Sequence, residues 1–184
     1  MSASLPAPES LAGHHRVDGF DCGEPEINGF LLKHAAQETE AGLSRTWVIA
    51  RPDDHVVLGF VSLSAASQAV RIKVQGKQKK LLSGALASCP YPDAPMVLLG
   101  RLGRRTDQAR SGIGTRLLSF AIVKTLQTAE NIGVAGIILD AMTDDLLAYY
   151  GRMKFERLPY PDLRKRRMLL TIADARATAA NMGG

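Results

Sequence analysis

Apolar residues recur every three or four positions in three stretches of the chain, the pattern of helices with one buried face. The predicted helices cover residues 24–40, 112–130 and 144–152. Shorter runs of aliphatic and β-branched residues lie beside these helices and predict strands. The predicted strands cover residues 46–50, 56–63, 96–102, 134–139 and 167–172. The order of elements is α, β, β, β, α, β, α, β, which predicts a mixed α/β fold.

The remaining segments have compositions typical of loops. The strands at 46–50 and 56–63 flank five residues rich in turn formers, so we expect an antiparallel hairpin. Residues 68–95 are basic, polar or proline-rich and predict a loop with at most one short helix. We also expect an N-terminal loop at residues 1–19 and a flexible, Ala-rich tail at residues 174–184.

Composition narrows the class of protein. With 184 residues and 46% hydrophobic content, the chain predicts a single domain over residues 1–184. The net charge of +5 favours an anionic partner, and nucleic acid, cofactor phosphates and an anionic membrane all fit that charge. The sequence lacks an apolar membrane span and a signal-peptide pattern, so we expect a cytoplasmic protein without membrane contact. Cys22 and Cys89 lack metal-ligand spacing, and we expect reduced thiols and no bound metal.

A basic turn with two glycines precedes the second predicted helix. It reads Arg110-Ser111-Gly112-Ile113-Gly114-Thr115. A helix N-terminus presents backbone N–H groups without helical partners, and neighbouring glycines let a phosphate approach the main chain. The turn is therefore a candidate phosphate-binding site. A tight loop before a helix uses the same residues, so the turn alone leaves both interpretations open.

Residues 20–155 resemble the Gcn5-related N-acetyltransferases (GNAT), in which a Gln/Arg-x-x-Gly-x-Gly/Ala turn follows the fourth strand. The segment from Ala109 to Gly114 aligns with that turn, and Ala109 stands where the family prefers Gln or Arg. The resemblance implies a central, mostly antiparallel sheet flanked by helices, with splayed fourth and fifth strands that admit acetyl-CoA. The turn then binds the cofactor pyrophosphate, and the end of the fourth strand binds the pantetheine arm. The implied cofactor-binding residues are Leu102, Gly103, Arg104, Ala109, Arg110, Ser111, Gly112, Ile113, Gly114 and Thr115.

Three stretches resemble the acetyltransferase toxins of bacterial type II toxin–antitoxin pairs in particular. They are Phe20-Asp21-Cys22-Gly23 before a helix, Leu99-Gly100-Arg101-Leu102 before the turn, and Leu139-Asp140-Ala141 nine residues before Tyr150. Two stretches differ: Gly103-Arg104-Arg105 replaces Ala-Val-Asp, and Lys154-Phe155 replaces Gly-Phe. The resemblance implies acetylation of the α-amino group of aminoacyl-tRNA, which blocks translation. It also implies a cognate antitoxin, often a ribbon-helix-helix protein, and allows a homodimer.

Tyr150 aligns with the tyrosine that serves the family as general acid. Acetyl transfer needs a proton for the departing CoA thiolate, and a phenol with a pKa of about 10 can supply it. For Tyr149 we favour a packing role. None of the four histidines is assigned to catalysis, and the sequence marks no general base.

Basic residues cluster in the long connection, around the turn and after the third predicted helix. Solvated surface charge explains any single one of them, whereas charge around a cofactor cleft also attracts a polyanion. The predicted tRNA-binding residues are Arg101, Arg105, Lys77, Lys79, Lys80 and Arg152. Two alternatives stay open: an acetyltransferase of this fold that acts on a small or protein amine, and a degenerate domain that binds without turnover.

Overall fold

The structure is a computed structural model that describes residues 5–182. The helices are α1 (Pro25–Lys33), α2 (Ala35–Glu40), α3 (Ile113–Asn131), α4 (Asp144–Arg152) and α5 (Ile172–Met182). The strands are β1 (Glu9–Ser10), β2 (Arg45–Ala50), β3 (Val57–Ala69), β4 (Arg71–Val74), β5 (Lys77–Lys80), β6 (Asp93–Arg104), β7 (Gly136–Asp140), β8 (Glu156–Arg157) and β9 (Arg167–Thr171). Short 3₁₀-helices cover Gly84–Ser88 and Thr106–Gln108.

Two compact units make up the fold. The first is formed by Met1–Ser64 and Leu99–Ala121, and the second by Ala65–Leu98 and Ile122–Gly184. The single domain that we predicted from the length stays a prediction. Within the described residues, no helix is long and apolar enough to cross a bilayer.

In the first unit the strands lie in the order β1-β2-β3-β6. The ladders from β1 to β2 and from β2 to β3 are antiparallel, which confirms the predicted hairpin. The Phe60 ring of β3 stacks on Phe30 of α1, with 6.1 Å between ring centroids, and meets Phe20 edge-on at 5.5 Å. These rings belong to a buried core formed by Phe20, Phe30, Leu31, Ala35, Val48, Val57 and Phe60. Aromatic packing therefore holds α1 on the sheet.

The helix predicted over residues 24–40 is interrupted at His34. This residue has a φ of −120°, outside the helical range, and separates α1 from α2. The Glu38 N–H still donates to the His34 carbonyl at 2.8 Å, so the chain bends while helical hydrogen bonding continues. The bend follows the buried Leu31 and directly precedes the buried Ala35, so both short helices contribute to the core.

In the second unit the strands lie in the order β6-β7-β9-β8. The ladders from β7 to β9 and from β9 to β8 are antiparallel, and β6 and β7 are parallel. Among the described residues the parallel ladder consists of Val97↔Ile137 and Leu98↔Ile138. The fourth and fifth strands of the implied fold correspond to β6 and β7, and the splay between them stays a prediction. The prediction of a mixed, mostly antiparallel sheet flanked by helices is confirmed.

Strands β4 and β5 form a separate two-stranded sheet where we predicted a loop. They pair in antiparallel register from Arg71↔Lys80 to Val74↔Lys77. The connecting residues Gln75 and Gly76 have φ values of 49° and 78°, as a type I′ hairpin turn requires. The loop prediction was wrong because all four residues of β5 are polar and exposed, so the strand lacks the apolar alternation that marks a half-buried strand.

The two chain termini also differ from prediction. Helix α5 covers residues 174–182, which we expected to be a flexible tail, and its Ala175 side chain is fully buried. The prediction of a flexible tail was wrong for these residues. Alanine has a high helix propensity and its small side chain packs closely, so the Ala-rich segment forms a helix. Gly183 and Gly184 lie outside the described residues. At the other end, β1 lies within the predicted loop 1–19, where residues 1–4 are also outside the described part.

Candidate active site

The glycine turn leads directly into α3, a helix of 19 residues. Arg110 and Gly112 have positive φ values of 61° and 82°, so the chain turns sharply before the helix. The Ser111 hydroxyl donates to the Gln108 carbonyl at 2.7 Å and accepts from the Ile113 N–H at 3.4 Å, which closes the turn. A Cβ added at Gly114 would meet nothing within 4 Å. The main chain of the first helical turn is therefore open to an approaching phosphate.

A glycine that we did not single out from the sequence positions this turn. A Cβ at Gly59 in β3 would lie 2.5 Å from Ile113 Cγ2 and 3.0 Å from Leu117 Cδ1. Ile113 and Leu117 are fully buried, so the start of α3 packs against β3 only because Gly59 has no side chain. An isolated glycine inside a predicted strand was the available signal of this close approach.

Positive charge surrounds the turn. Ala109, at the position where the resemblance led us to expect Gln or Arg, is exposed, as is the neighbouring Arg110. Among the described residues, neither Arg110 nor Arg116 forms an ion pair with a carboxylate. Their charges add to the partial positive charge of the helix N-terminus, so the turn favours an anion.

The end of β6 lies against α1. A Cβ at the buried Gly103 would lie 2.9 Å from Ile27 Cγ2 and 3.0 Å from Phe60 Cε1. The Arg101 guanidinium lies 5.4 Å from the centre of the Phe30 ring, a cation–π distance. Arg104 donates to the Arg105 carbonyl at 3.1 Å, and Leu102 is half-buried. The predicted residues of this strand are thus held by α1 and by local backbone contacts.

The Phe20-Asp21-Cys22-Gly23 stretch connects α1 to the segment after β6. One oxygen of the Asp21 carboxylate accepts from the Gly23 N–H at 2.9 Å and from the Asn28 side chain at 2.8 Å. The hydrogen bond from the Gly23 N–H, and to a smaller extent the one from Asn28, lowers the pKa of the Asp21 carboxyl group. The Thr106 N–H donates to the Asp21 carbonyl at 2.9 Å. Asn28, which we did not predict, completes the network by accepting from the Cys22 N–H at 2.9 Å.

Arg105, a predicted tRNA contact, is held by its own surroundings. Its guanidinium donates to the Asp107 carboxylate, with a shortest distance of 3.1 Å, and to the Gly19 carbonyl at 3.2 Å. The hydrogen bond from Arg105 also lowers the pKa of Asp107. This pairing gives Arg105 a structural role in joining the N-terminal segment to the chain after β6.

Tyr150 lies near the end of α4 and is 6% exposed. The helix begins at a Thr143 cap whose hydroxyl accepts from the Leu146 N–H at 3.2 Å, and the Arg166 guanidinium donates to Asp144 in its first turn at 2.9 Å. Burial, with a smaller contribution from Tyr149, raises the pKa of the Tyr150 phenol to about 12. The phenol is therefore neutral at physiological pH and retains a proton to donate.

The backbone after α4 holds Tyr150 in place through a Schellman turn. The Phe155 N–H donates to the Tyr150 carbonyl at 3.1 Å, and the Lys154 N–H donates to the Gly151 carbonyl at 3.0 Å. The Phe155 and Tyr150 ring centroids are 5.8 Å apart, which supplies the apolar contact of this motif. Lys154 has a φ of 68° at the position where such turns prefer glycine, and this explains why the resembling toxins carry Gly-Phe here.

Replacing Lys154 by glycine should therefore stabilise the protein by about 0.5–1 kcal/mol, because the left-handed conformation strains any residue with a Cβ. Urea denaturation of Lys154→Gly measures the change in unfolding free energy. Lys154→Ala is the control, since it removes the same charge and keeps the Cβ. An equal gain from both substitutions would assign the effect to charge and contradict the conformational explanation.

The remaining predicted tRNA contacts lie in separate places. Lys77, Lys79 and Lys80 all belong to the exposed strand β5. The Arg152 guanidinium lies 5.9 Å from the centre of the Tyr149 ring, at the end of α4. We expected Tyr149 to be a packing residue, and its edge-on contact with Tyr150 at 5.3 Å is of that kind.

One group of described residues has ligand atoms close enough for a metal ion: Glu9, His14 and His15. His15 Nδ1 accepts from the Ala12 N–H at 3.0 Å, so the ring proton of the neutral imidazole is on Nε2. Nε2 lies 3.2 Å from the Glu9 carboxylate. Nε2 is buried and forms no hydrogen bond with any described residue, and Nδ1 is occupied by the Ala12 N–H. The expected absence of a bound metal stays a prediction.

Comparisons with known proteins identify the class of protein. No family model matches the chain. A crystal structure of a Tyr-to-Phe mutant of KacT superposes with a TM-score of 0.81 at 21% identity, over 95% of this chain and 99% of that one. AtaT complexed with acetyl-methionyl-tRNAfMet superposes with a TM-score of 0.79 at 19% identity, over 93% of this chain and 97% of that one. The fold is that of the GNAT acetyltransferase toxins.

Sequence similarity narrows the class to a family. The tRNA-acetylating toxin of Mycobacterium tuberculosis (strain ATCC 25618 / H37Rv) is 32% identical over 171 residues, which cover 93% of this chain and 95% of that protein. The chain belongs to the family of tRNA-acetylating toxins.

Proposed function

We propose that the protein transfers an acetyl group from acetyl-CoA to the α-amino group of the amino acid on charged tRNA. A tRNA acetylated in this way can no longer enter translation. The observation that carries the proposal is the 32% identity, over 93% of the chain, to a relative named a tRNA-acetylating toxin. The net charge of +5 supports a polyanionic substrate.

Acetyl-CoA is bound, in this proposal, by the turn before α3 and by the end of β6. The open main chain at Gly114 and the N-terminus of α3 fit a pyrophosphate, and the unpaired charge of Arg110 replaces the polar side chain that Ala109 lacks. The main chain of Leu102, Gly103 and Arg104 offers hydrogen bonds to the pantetheine arm. Glycine at 103 lets α1 pack closely on this strand, because a Cβ there would collide with Ile27 and Phe60.

The chemistry needs one proton donor. The neutral α-amine attacks the thioester carbonyl carbon, a C–N bond forms, and the C–S bond breaks as the tetrahedral intermediate collapses. The CoA sulfur takes the proton of the Tyr150 hydroxyl, and the amine nitrogen loses a proton to solvent, from which the phenolate recovers its own. Because burial raises the pKa of this phenol, the hydroxyl carries its proton before the C–S bond breaks.

The expected partners follow from the family. We propose that a cognate antitoxin neutralises the enzyme in the cytoplasm, and the resemblance favours an antitoxin of the ribbon-helix-helix type. A homodimer is part of the same expectation.

The test is to incubate the protein with labelled acetyl-CoA and either charged or fully deacylated total tRNA. We expect label on the charged pool alone, because only that pool carries an α-amino group. Label on neither pool, from a protein that still acetylates small amines, would replace the proposal with the small-amine alternative. A protein that also fails to bind acetyl-CoA would be the degenerate binding domain.

A further inference from the structure

The hairpin β4–β5 concentrates positive charge without any compensating acid. Five of its eight strand residues are basic: Arg71, Lys73, Lys77, Lys79 and Lys80. The sequence has no Asp or Glu from residue 55 to residue 92. Within the described residues, none of these five side chains forms an ion pair with a carboxylate. The hairpin therefore presents five uncompensated positive charges.

Buried apolar residues anchor the base of the hairpin on both sides. Val70, directly before β4, is fully buried, and Leu81 and Leu82, directly after β5, are each 2% exposed. The Leu81 N–H donates to the Val70 carbonyl at 2.9 Å, and the Arg71 guanidinium donates to the Ala87 carbonyl at 3.2 Å. The base is part of the core of the second unit, so the charged strands have a fixed support.

The register places like charges together. Arg71 lies directly opposite Lys80, a pairing that destabilises a hairpin because the charges repel. Opposite residues share a face and neighbours alternate, so Arg71, Lys73 and Lys80 lie on one face and Lys77 and Lys79 on the other. A bound polyanion removes the repulsion between Arg71 and Lys80. Residues that lower the stability of the folded protein are typical of binding surfaces.

We infer that the hairpin β4–β5 binds the phosphate backbone of RNA, as a surface separate along the chain from the cofactor turn. The inference rests on the proposed function, which supplies charged tRNA as the substrate. The hairpin tip, Gln75-Gly76, is polar, β5 has no apolar side chain, and the apolar residues of β4, Ile72 and Val74, are half-buried. An anionic membrane surface would favour apolar residues for insertion beside the cations, so RNA fits this composition better.

The test compares wild type with the triple variant Lys77→Gln, Lys79→Gln, Lys80→Gln. A matched control, Lys33→Gln, Arg45→Gln, Arg176→Gln, removes three exposed charges from other elements. We expect the hairpin variant to raise the Kd for deacylated tRNA by about 10-fold or more and to reduce the slope of log Kd against log salt by about two to three. The control should change the slope by less than about one. Acetyl-CoA binding should be unchanged in both variants, and the hairpin variant should be at least as stable as the wild type because Lys80→Gln removes the repulsion with Arg71.

Equal salt slopes for the hairpin variant and the wild type would overturn the inference. Binding of wild type to phosphatidylserine vesicles, lost in the hairpin variant while tRNA binding is retained, would assign the surface to membranes and overturn it as well. The tRNA-binding readout needs no acetylation. A wild type that binds tRNA through the hairpin without acetylating it would therefore contradict the proposed function alone.

Discussion

Replacing Tyr150 by phenylalanine lowers kcat for acetyl transfer by about 100-fold or more, the usual contribution of a general acid. The substitution removes only the hydroxyl, and the ring keeps its contact with Phe155. The KM for acetyl-CoA should change little, because the phenol acts on the departing thiolate and not on the bound ground state. Steady-state kinetics at several acetyl-CoA concentrations separate the two parameters.

Tyr149→Phe is the matched control for this prediction. It removes a hydroxyl from the neighbouring residue on the same helix, and we expect kcat to stay within about threefold of the wild type. Circular dichroism should show both variants folded, since each retains its aromatic ring. Full activity of Tyr150→Phe would contradict the acid role, and equal losses in both variants would indicate general damage to α4.

Replacing Gly114 by aspartate strongly weakens acetyl-CoA binding while the fold is kept. A side chain at Gly114 meets no protein atom within 4 Å, and a carboxylate in the first turn of a helix is favourable by about 0.3–1 kcal/mol. The same carboxylate occupies the space proposed for the pyrophosphate and repels it, so we expect the Kd for acetyl-CoA to rise by about 100-fold or more. Calorimetric titration measures the Kd, and thermal denaturation checks the fold.

Gly133→Asp adds the same charge at another glycine where a Cβ meets no protein atom within 4 Å. We expect this variant to bind acetyl-CoA as the wild type does. Unchanged binding in Gly114→Asp would show that the turn before α3 does not hold the phosphates. A loss in both variants would point to net charge and would equally contradict a specific site.

Elements with one buried face could be predicted from the sequence because burial leaves a periodic pattern. Helix α3, with Leu117, Leu118, Ala121 and Ile122 all fully buried, is an example. Strand β7 was predicted instead from a continuous apolar run, because consecutive residues on both of its faces are buried. The hairpin β4–β5 could not be predicted in this way, because its side chains are mostly basic and only its ends enter the core. Helix α5 was missed because small residues pack without an apolar stripe.

The parts of the candidate site that depend on local backbone chemistry could be predicted from the sequence. The parts that depend on tertiary contacts could not. Glycines before a helix indicate phosphate binding from the sequence alone, and Tyr150 follows from the resemblance. The contact of Gly59 with Ile113 depends on how a helix packs on a strand 54 residues away, which no local pattern records. The same holds for the Asp21 carbonyl that accepts from the distant Thr106 N–H. The sequence shows Lys154 where the resembling toxins carry glycine, and the φ of 68° in the structure gives the physical reason for that glycine.

The most direct measurement is mass spectrometry of the amino acids released by mild base from charged tRNA after incubation with the enzyme and acetyl-CoA. The proposed function predicts N-acetylated amino acids from the wild type and at least about 100-fold less from Tyr150→Phe. Free, unmodified amino acids after incubation with a wild type that demonstrably binds acetyl-CoA would contradict it.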